Sequence, residues 1–152
     1  MLCAVARPTF VQALRAVLGT RRGVDPRAVQ VSYLPHPDGL PDPGEVVWGW
    51  IPFEDDPSQG KDRPAIAVGW WRDKLVVVPF TSKDQRGRPG TYEIGSGPWD
   101  GEGRRSWVKL DRLVPLDPSA VRREGAALDA ARFRDLVRRL HAEHGPQLRV
   151  TG

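Results

Sequence analysis

An arginine at one end of an apolar stretch and a pair of hydroxyls at the other are the residues of this chain best placed to do chemistry. In KDRPAIAVGWWRDKLVVVPFTSKD, Lys61 to Asp84, Arg63 stands before the apolar run and Thr81 and Ser82 close it. A guanidinium holds a phosphate or carboxylate by charge-assisted hydrogen bonds, and a neighbouring hydroxyl can position the same group. The only turn-like residues between them lie around Arg72 and Asp73, so an antiparallel hairpin is expected, with Arg63 and Thr81 meeting at its open edge. Register decides which hydroxyl faces the arginine. A three-residue loop, Trp71 to Asp73, sets Trp70 against Lys74 and Arg63 against Thr81, whereas a two-residue loop sets Arg63 against Ser82.

The elements that would carry these residues are legible as short runs. EVVWGWI (Glu45 to Ile51), RPAIAVGW, KLVVVPF, SWVKL and RLVPL read as strands, separated by Gly, Pro and Asp. No helix falls between them to make crossovers, so a small antiparallel barrel is expected, mainly β with some α. The segment DAARFRDLVRRLHAEHG sets Phe133, Leu136, Val137, Leu140 and His144 on one face of a C-terminal helix, with Asp129 as N-cap and Gly145-Pro146 as stop. Arginines cover its other face, so the helix is expected to pack on the barrel. Upstream, TFVQALRAVL predicts a short amphipathic helix from Thr9 to Leu18, and the Pro- and Asp-rich Pro35 to Gly44 reads as a linker. Residues 1–43 are therefore expected to form an N-terminal extension, and 44–152 the domain.

A chain of 152 residues can bury a core without metals or disulfides. The single Cys3 forms no intramolecular disulfide and no Cys/His spacing resembles a zinc site, so a reducing cytoplasm and no metal or other cofactor are expected. The chain has neither an apolar run long enough to span a membrane nor a signal-peptide pattern at MLCAVARP. The net charge of +4 is unevenly placed: +2 over residues 1–43, −1 over 44–118 and +3 over 119–152. Basicity is thus no argument that the central domain binds nucleic acid.

The order of pieces in GEVVWGWIPFEDDPSQGKDRPAIAV…VVVPFTS resembles the PemK/MazF family of toxin endoribonucleases. Gly44, Glu45, Val46, Val47 and Trp48 match its opening strand, Gln59 and Gly60 its loop, Arg63 and Pro64 its R-P, and Pro79, Thr81 and Ser82 its P-x-T-[ST]. SWVKLDRLVPLD resembles its late strand, and the likeness extends to His144. The resemblance implies an SH3-like barrel, usually dimeric, that cleaves single-stranded RNA without a metal by attack of the 2′-hydroxyl on the adjacent phosphate. It also implies the toxin half of a type II toxin–antitoxin pair, with a cognate antitoxin. Arg63 and Thr81 would be the catalytic pair. Gln59, Lys61, Ser82 and Lys83 would contact substrate, as would Lys109 and Asp111, which stand where some members carry Arg-x-Asp.

Several residues depart from that pattern. None of His36, His141 and His144 stands where some members carry a loop histidine, and lysine at 109 loses bidentate phosphate recognition. Glu54, Asp55 and Asp56 form an acidic run, read as a solvated loop, that would repel RNA if it faced the phosphate path. Trp48 and Trp50 share strand parity and are expected in the core. Trp70 and Trp71 point to opposite faces, which leaves one exposed at the hairpin tip. The insert GSGPWDGEGRRSW, Gly95 to Trp107, reads equally as a base-contacting loop or as a connection that tucks Trp99 inward. A second reading of the chain follows from the acidic run and Lys109: a catalytically silent SH3-like barrel that binds a protein, either a gyrase-type target or an antitoxin-like peptide.

Overall fold

The computed structural model describes residues 29–31, 41–145 and 149–150. The helix expected over Thr9 to Leu18, and the linker as far as residue 40, lie outside them. In chain order the strands are β1 (Gln30–Val31), β2 (Glu45–Pro52), β3 (Gly60–Trp71), β4 (Lys74–Thr81), β5 (Thr91–Gly95), β6 (Ser106–Lys109), β7 (Val114–Leu116), β8 (Arg122–Ala127) and β9 (Arg149–Val150). One α-helix, α1 (Ala130–His144), follows β8.

The apolar run of β4 is buried on both faces, which explains why it does not alternate with polar residues. Val76, Val78 and Phe80 enter the larger core beneath α1, with Ile66, Leu113, Leu136 and Leu140. Leu75 and Val77 enter a smaller core on the opposite face, with Val47, Ile51, Ala65 and Val114. Helix α1 buries the five residues expected of it, Phe133, Leu136, Val137, Leu140 and His144. Asp129 caps it by accepting from Arg132 N at 2.9 Å, and Gly145 ends it at φ 85°. The His144 ring fixes the last turn through a 2.8 Å contact between Nε2 and the Leu110 carbonyl.

The barrel expected from the sequence is instead an open sheet. β3 pairs with β2 and β1 along one edge and with β4 along the other. β4 then divides its far edge between β7, at Leu75 to Val77, and β6, at Phe80 and Thr81. Among the described residues β5, β7, β8 and β9 each pair on one side only, so the ladders fan out and do not close. All pairs are antiparallel except β1 with β9. β5, TYEIG, is not among the expected strands, and β8 carries no strong strand signal. RREGAA is poor in β-branched and aromatic residues, and its pairing with β2 rests on tertiary context.

The hairpin register combines the two possibilities. Trp71 pairs with Lys74, so the loop is the two residues Arg72 and Asp73, with Arg72 at φ 58°. A β-bulge at Val68 then inserts one residue into β3, and beyond it Ala65 pairs with Pro79. The ladder ends there, and Arg63 and Thr81 each lie two residues beyond its last pair. The bulge falls where β1 joins the sheet. A Cβ on Gly69 would stand 2.0 Å from the Gln30 carbonyl oxygen, so only glycine admits the β1 backbone there.

Two tryptophan expectations are corrected. Trp50 is 51% exposed and Trp48 half-buried, because the larger core covers that face of β2 at Val46 and does not extend along it to Trp50. At the hairpin tip Trp71 is buried and Trp70 packs against the smaller core, so neither is exposed. Gly69→Ala is expected to lower stability by about 1–3 kcal/mol through the forced displacement of β1. Urea denaturation monitored by tryptophan fluorescence would measure it.

Candidate functional site

Beyond Ala65 and Pro79, β4 leaves β3 to pair with β6, and two clefts open in the gap. Arg63, held on β3 opposite Gly49 of β2, lines both clefts, as do Thr81 at the end of β4 and Lys83 just after it. The first cleft, about 460 Å³, is completed by Glu54 and Asp55 of the β2–β3 loop, by Gln85 and Arg88, and by Lys109 and Arg112. The second, about 520 Å³, lies toward Trp48, Lys61, Ser82 and the β5–β6 loop that carries Asp100 and Arg104.

Thr81 Oγ1 accepts a hydrogen bond from Lys83 N at 3.1 Å, which fixes the oxygen and leaves the hydroxyl proton to donate elsewhere. Arg63 is half-buried; its Nε is buried and has no partner among the described residues. Burial holds its pKa below the usual guanidinium value, and the charge of Glu54 works in the opposite direction. Arg112 is lowered likewise by burial, against the attraction of Glu54 and with a further lowering by Arg63. Both remain cations, since a guanidinium does not lose its proton in proteins. The site therefore keeps two desolvated positive charges close together, one of them with an unused donor.

Glu54 is the local counterion. Its Oε2 accepts from Lys109 Nζ at 2.6 Å, and its Oε1 lies 4.0 Å from Arg112 Nε. Arg112 in turn donates through Nη2 to the Pro52 carbonyl, which ties the late turn to the end of β2. The acidic run is thus not one solvated face: Glu54 turns onto the cations, while Asp56 accepts from Ser58 N and Oγ to fold the loop.

Of the residues singled out in the sequence, Arg63, Thr81 and Lys83 line both clefts, Lys61 and Ser82 the second, and Lys109 the first. Gln59 and Asp111 line neither. Gln59 closes the β2–β3 loop through its backbone, with Phe53 N donating to its carbonyl at 2.8 Å, and Asp111 is exposed in the turn after β6. Trp99 is tucked in, 4% exposed, with Nε1 donating to Ser106 Oγ at 3.0 Å and its ring 5.3 Å from that of Phe80. Glu45, which opens the first motif, is buried, pairs with Arg123 and accepts from Asp42 N. Its part is to fix the start of β2.

Sequence reasoning missed Arg112, Arg88 and Gln85. Arg112 could have been found as the cation next to the Lys109-x-Asp111 pattern. Gln85, buried and donating to the Lys83 carbonyl at 3.1 Å, gives no signal in a Gly/Arg-rich segment. Among the described residues no group of three or more His, Cys, Asp or Glu is arranged to hold a metal ion, and no helix is long and apolar enough to cross a membrane.

Among the described residues, an open, mainly antiparallel sheet followed by one C-terminal helix is a MazF-like fold. The structure of MazF (Form-I) from Deinococcus radiodurans is similar over 70% of this chain and 97% of that one, at 23% identity and a TM-score of 0.52. A MazE–MazF structure (Form-II) from the same organism covers 71% of this chain and 98% of that one, at 22% identity and a TM-score of 0.49. The model of the PemK-like, MazF-like toxins of type II toxin–antitoxin systems matches residues 42–143, and the chain belongs to that family. No curated protein matches significantly.

Because the buried Nε of Arg63 has no hydrogen-bond partner among the described residues and the charge of Glu54 opposes only part of the burial cost, Arg63→Ala is expected to leave folding stability within about 1 kcal/mol of wild type or to raise it. Calorimetry would show a melting temperature no lower than slightly below wild type. A drop of several degrees would assign Arg63 a structural part.

Proposed function

We propose that the chain is a metal-independent endoribonuclease that cleaves single-stranded RNA, with Arg63 and Thr81 as the catalytic pair. The observation that carries this reading is the buried, unpartnered Nε of Arg63 in the gap it shares with Thr81. A desolvated guanidinium with an unused donor is suited to the dianionic, phosphorane-like transition state, whose charge exceeds that of the ground-state phosphate. In the reaction the 2′-oxygen loses its proton and attacks phosphorus, and the bond to the 5′-oxygen breaks. The products are a 2′,3′-cyclic phosphate and a 5′-hydroxyl that has taken up a proton. The Thr81 hydroxyl, oriented by Lys83 N, would donate to a phosphate oxygen.

Lys61, Ser82, Lys83 and Lys109 would hold the strand on either side of the scissile phosphate. Gln59 and Asp111, outside the clefts, would touch only more distant nucleotides. Family membership supports the further reading that the chain acts as a homodimer in the cytoplasm and is neutralised by a cognate antitoxin. A second reading, a silent protein-binding module, is favoured by one contact. Glu54 already satisfies Lys109 and stands by Arg112, cations that a phosphate would otherwise use.

Purified protein is expected to cut single-stranded RNA in EDTA and leave 2′,3′-cyclic ends. Arg63→Ala should cost about 10²-fold or more in rate, and Thr81→Ser should retain more activity than Thr81→Val. RNA left intact by folded wild-type protein across many sequences would reject the nuclease and leave the binding module. Lys83→Ala is expected to weaken RNA binding and to reduce the slope of log K against log salt by about 0.7, the contribution of one single-strand phosphate. Fluorescence anisotropy at several salt concentrations measures that slope.

A further inference from the structure

The second cleft holds features that phosphate chemistry does not need. It adjoins Arg63 and Thr81 and does not include Glu54, and half-buried Trp48 is among its lining residues. Facing it is a loop built to hold one arginine. Asp100 is fixed first: its Oδ1 accepts from Glu102 N at 2.9 Å, and its own peptide is closed by Gly103 N donating to Asp100 O at 3.0 Å. The loop is anchored from beneath by Trp99, whose ring lies so close to Gly97 that a Cβ there would stand 2.2 Å from it. Asp100, with its side chain only 10% exposed, then holds Arg104 Nε at 3.0 Å, and Glu102 Oε2 lies 3.3 Å from the same nitrogen. With Nε engaged and 57% of the Arg104 side chain exposed, the Nη end of the guanidinium is the part that can meet a ligand.

An arginine held by a carboxylate on one edge and open on the other has the geometry for bidentate donation to two adjacent acceptors. Of the two purines, guanine offers that pair, O6 and N7, whereas adenine presents a donor at N6. A cleft of about 520 Å³ admits a base, and a tryptophan face supplies stacking.

We propose that this cleft receives a guanine next to the scissile phosphate, stacked on Trp48 and read by Arg104, with Asp100 as the positioning residue. The proposal rests on the nuclease reading above and adds a base preference to it. Arg104 discriminates guanine from adenine, and the preference is set by the β5–β6 loop and not by the catalytic pair.

The test uses the full chain and single-stranded oligonucleotides that differ at one position beside the cut. Wild type is expected to prefer guanosine to adenosine by about tenfold or more. Inosine, which keeps O6 and N7, should be cut like guanosine, and 7-deazaguanosine should be cut less well. Arg104→Ala should erase the preference while cleavage of the adenosine substrate persists, and Asp100→Asn should weaken the preference in the same direction. If Arg104→Ala slows all sequences equally, Arg104 is a phosphate contact and the proposal fails while the nuclease reading stands. A wild type that cleaves with no guanine preference overturns the proposal in the same way. Binding of the same oligonucleotides, made 2′-deoxy at the cut, separates the two readings further. An Arg104-dependent guanine preference in binding without any cleavage would reject the nuclease alone, and loss of both would reject both.

Discussion

Strand β3 is the constraint on which the rest of the molecule depends. Its first seven residues are paired with β2, its end with β1, and its other edge, from Ala65 onward, with β4. A strand so bonded cannot slip, because a shift of one residue would turn Ile66 and Val68 out of the larger core and Ala65 and Ala67 out of the smaller. The bulge at Val68 is the one irregularity in its pairing with β4, and beyond it the ladder ends at Ala65 and Pro79, two residues short of Arg63 and Thr81. Where β4 departs toward β6, the free edge of β3 borders open space and not another strand. The clefts are a consequence of that divergence.

The electrostatics of the gap follow from its position. Arg63 and Arg112 are drawn partly out of water by the sheet ends around them, and Glu54 is the carboxylate that balances them, with Lys109 bonded to it at 2.6 Å. Between exposed side chains such a bridge is worth little, about 0–1 kcal/mol. The β2–β3 loop, closed by Asp56 and the Gln59 backbone, supplies the counterion of a site that would otherwise hold like charges together.

The strands with β-branched or aromatic runs, and the whole buried face of α1, were legible because their patterns have one physical meaning. Phe133, Leu136, Val137 and Leu140 at helical spacing can be buried in only one way, and the apolar KLVVVPF is covered on both sides. β8 was not legible, since RREGAA is held by the free edge of β2 rather than by its own preference. Closure of the sheet could not be read either, because it depends on which strands β4 takes along its far edge. At the site, the approach of Arg63 to the Thr81–Ser82 end of the hairpin could be read from the strand pattern, whereas Glu54 looked like part of a solvated run. Its partners lie 55 and 58 residues away along the chain, beyond any local pattern.

The central claim is that the unpartnered Nε of Arg63 is reserved for a phosphate of bound RNA. It is tested most directly by following the Arg63 Nε–H resonance while a single-stranded oligonucleotide, 2′-deoxy at the cut and so uncleavable, is titrated into labelled protein. A large shift and slowed proton exchange at Arg63 are expected on binding, both lost when the phosphate at that position is replaced by a neutral methylphosphonate. An oligonucleotide that binds and leaves the Arg63 resonance unmoved would contradict the claim.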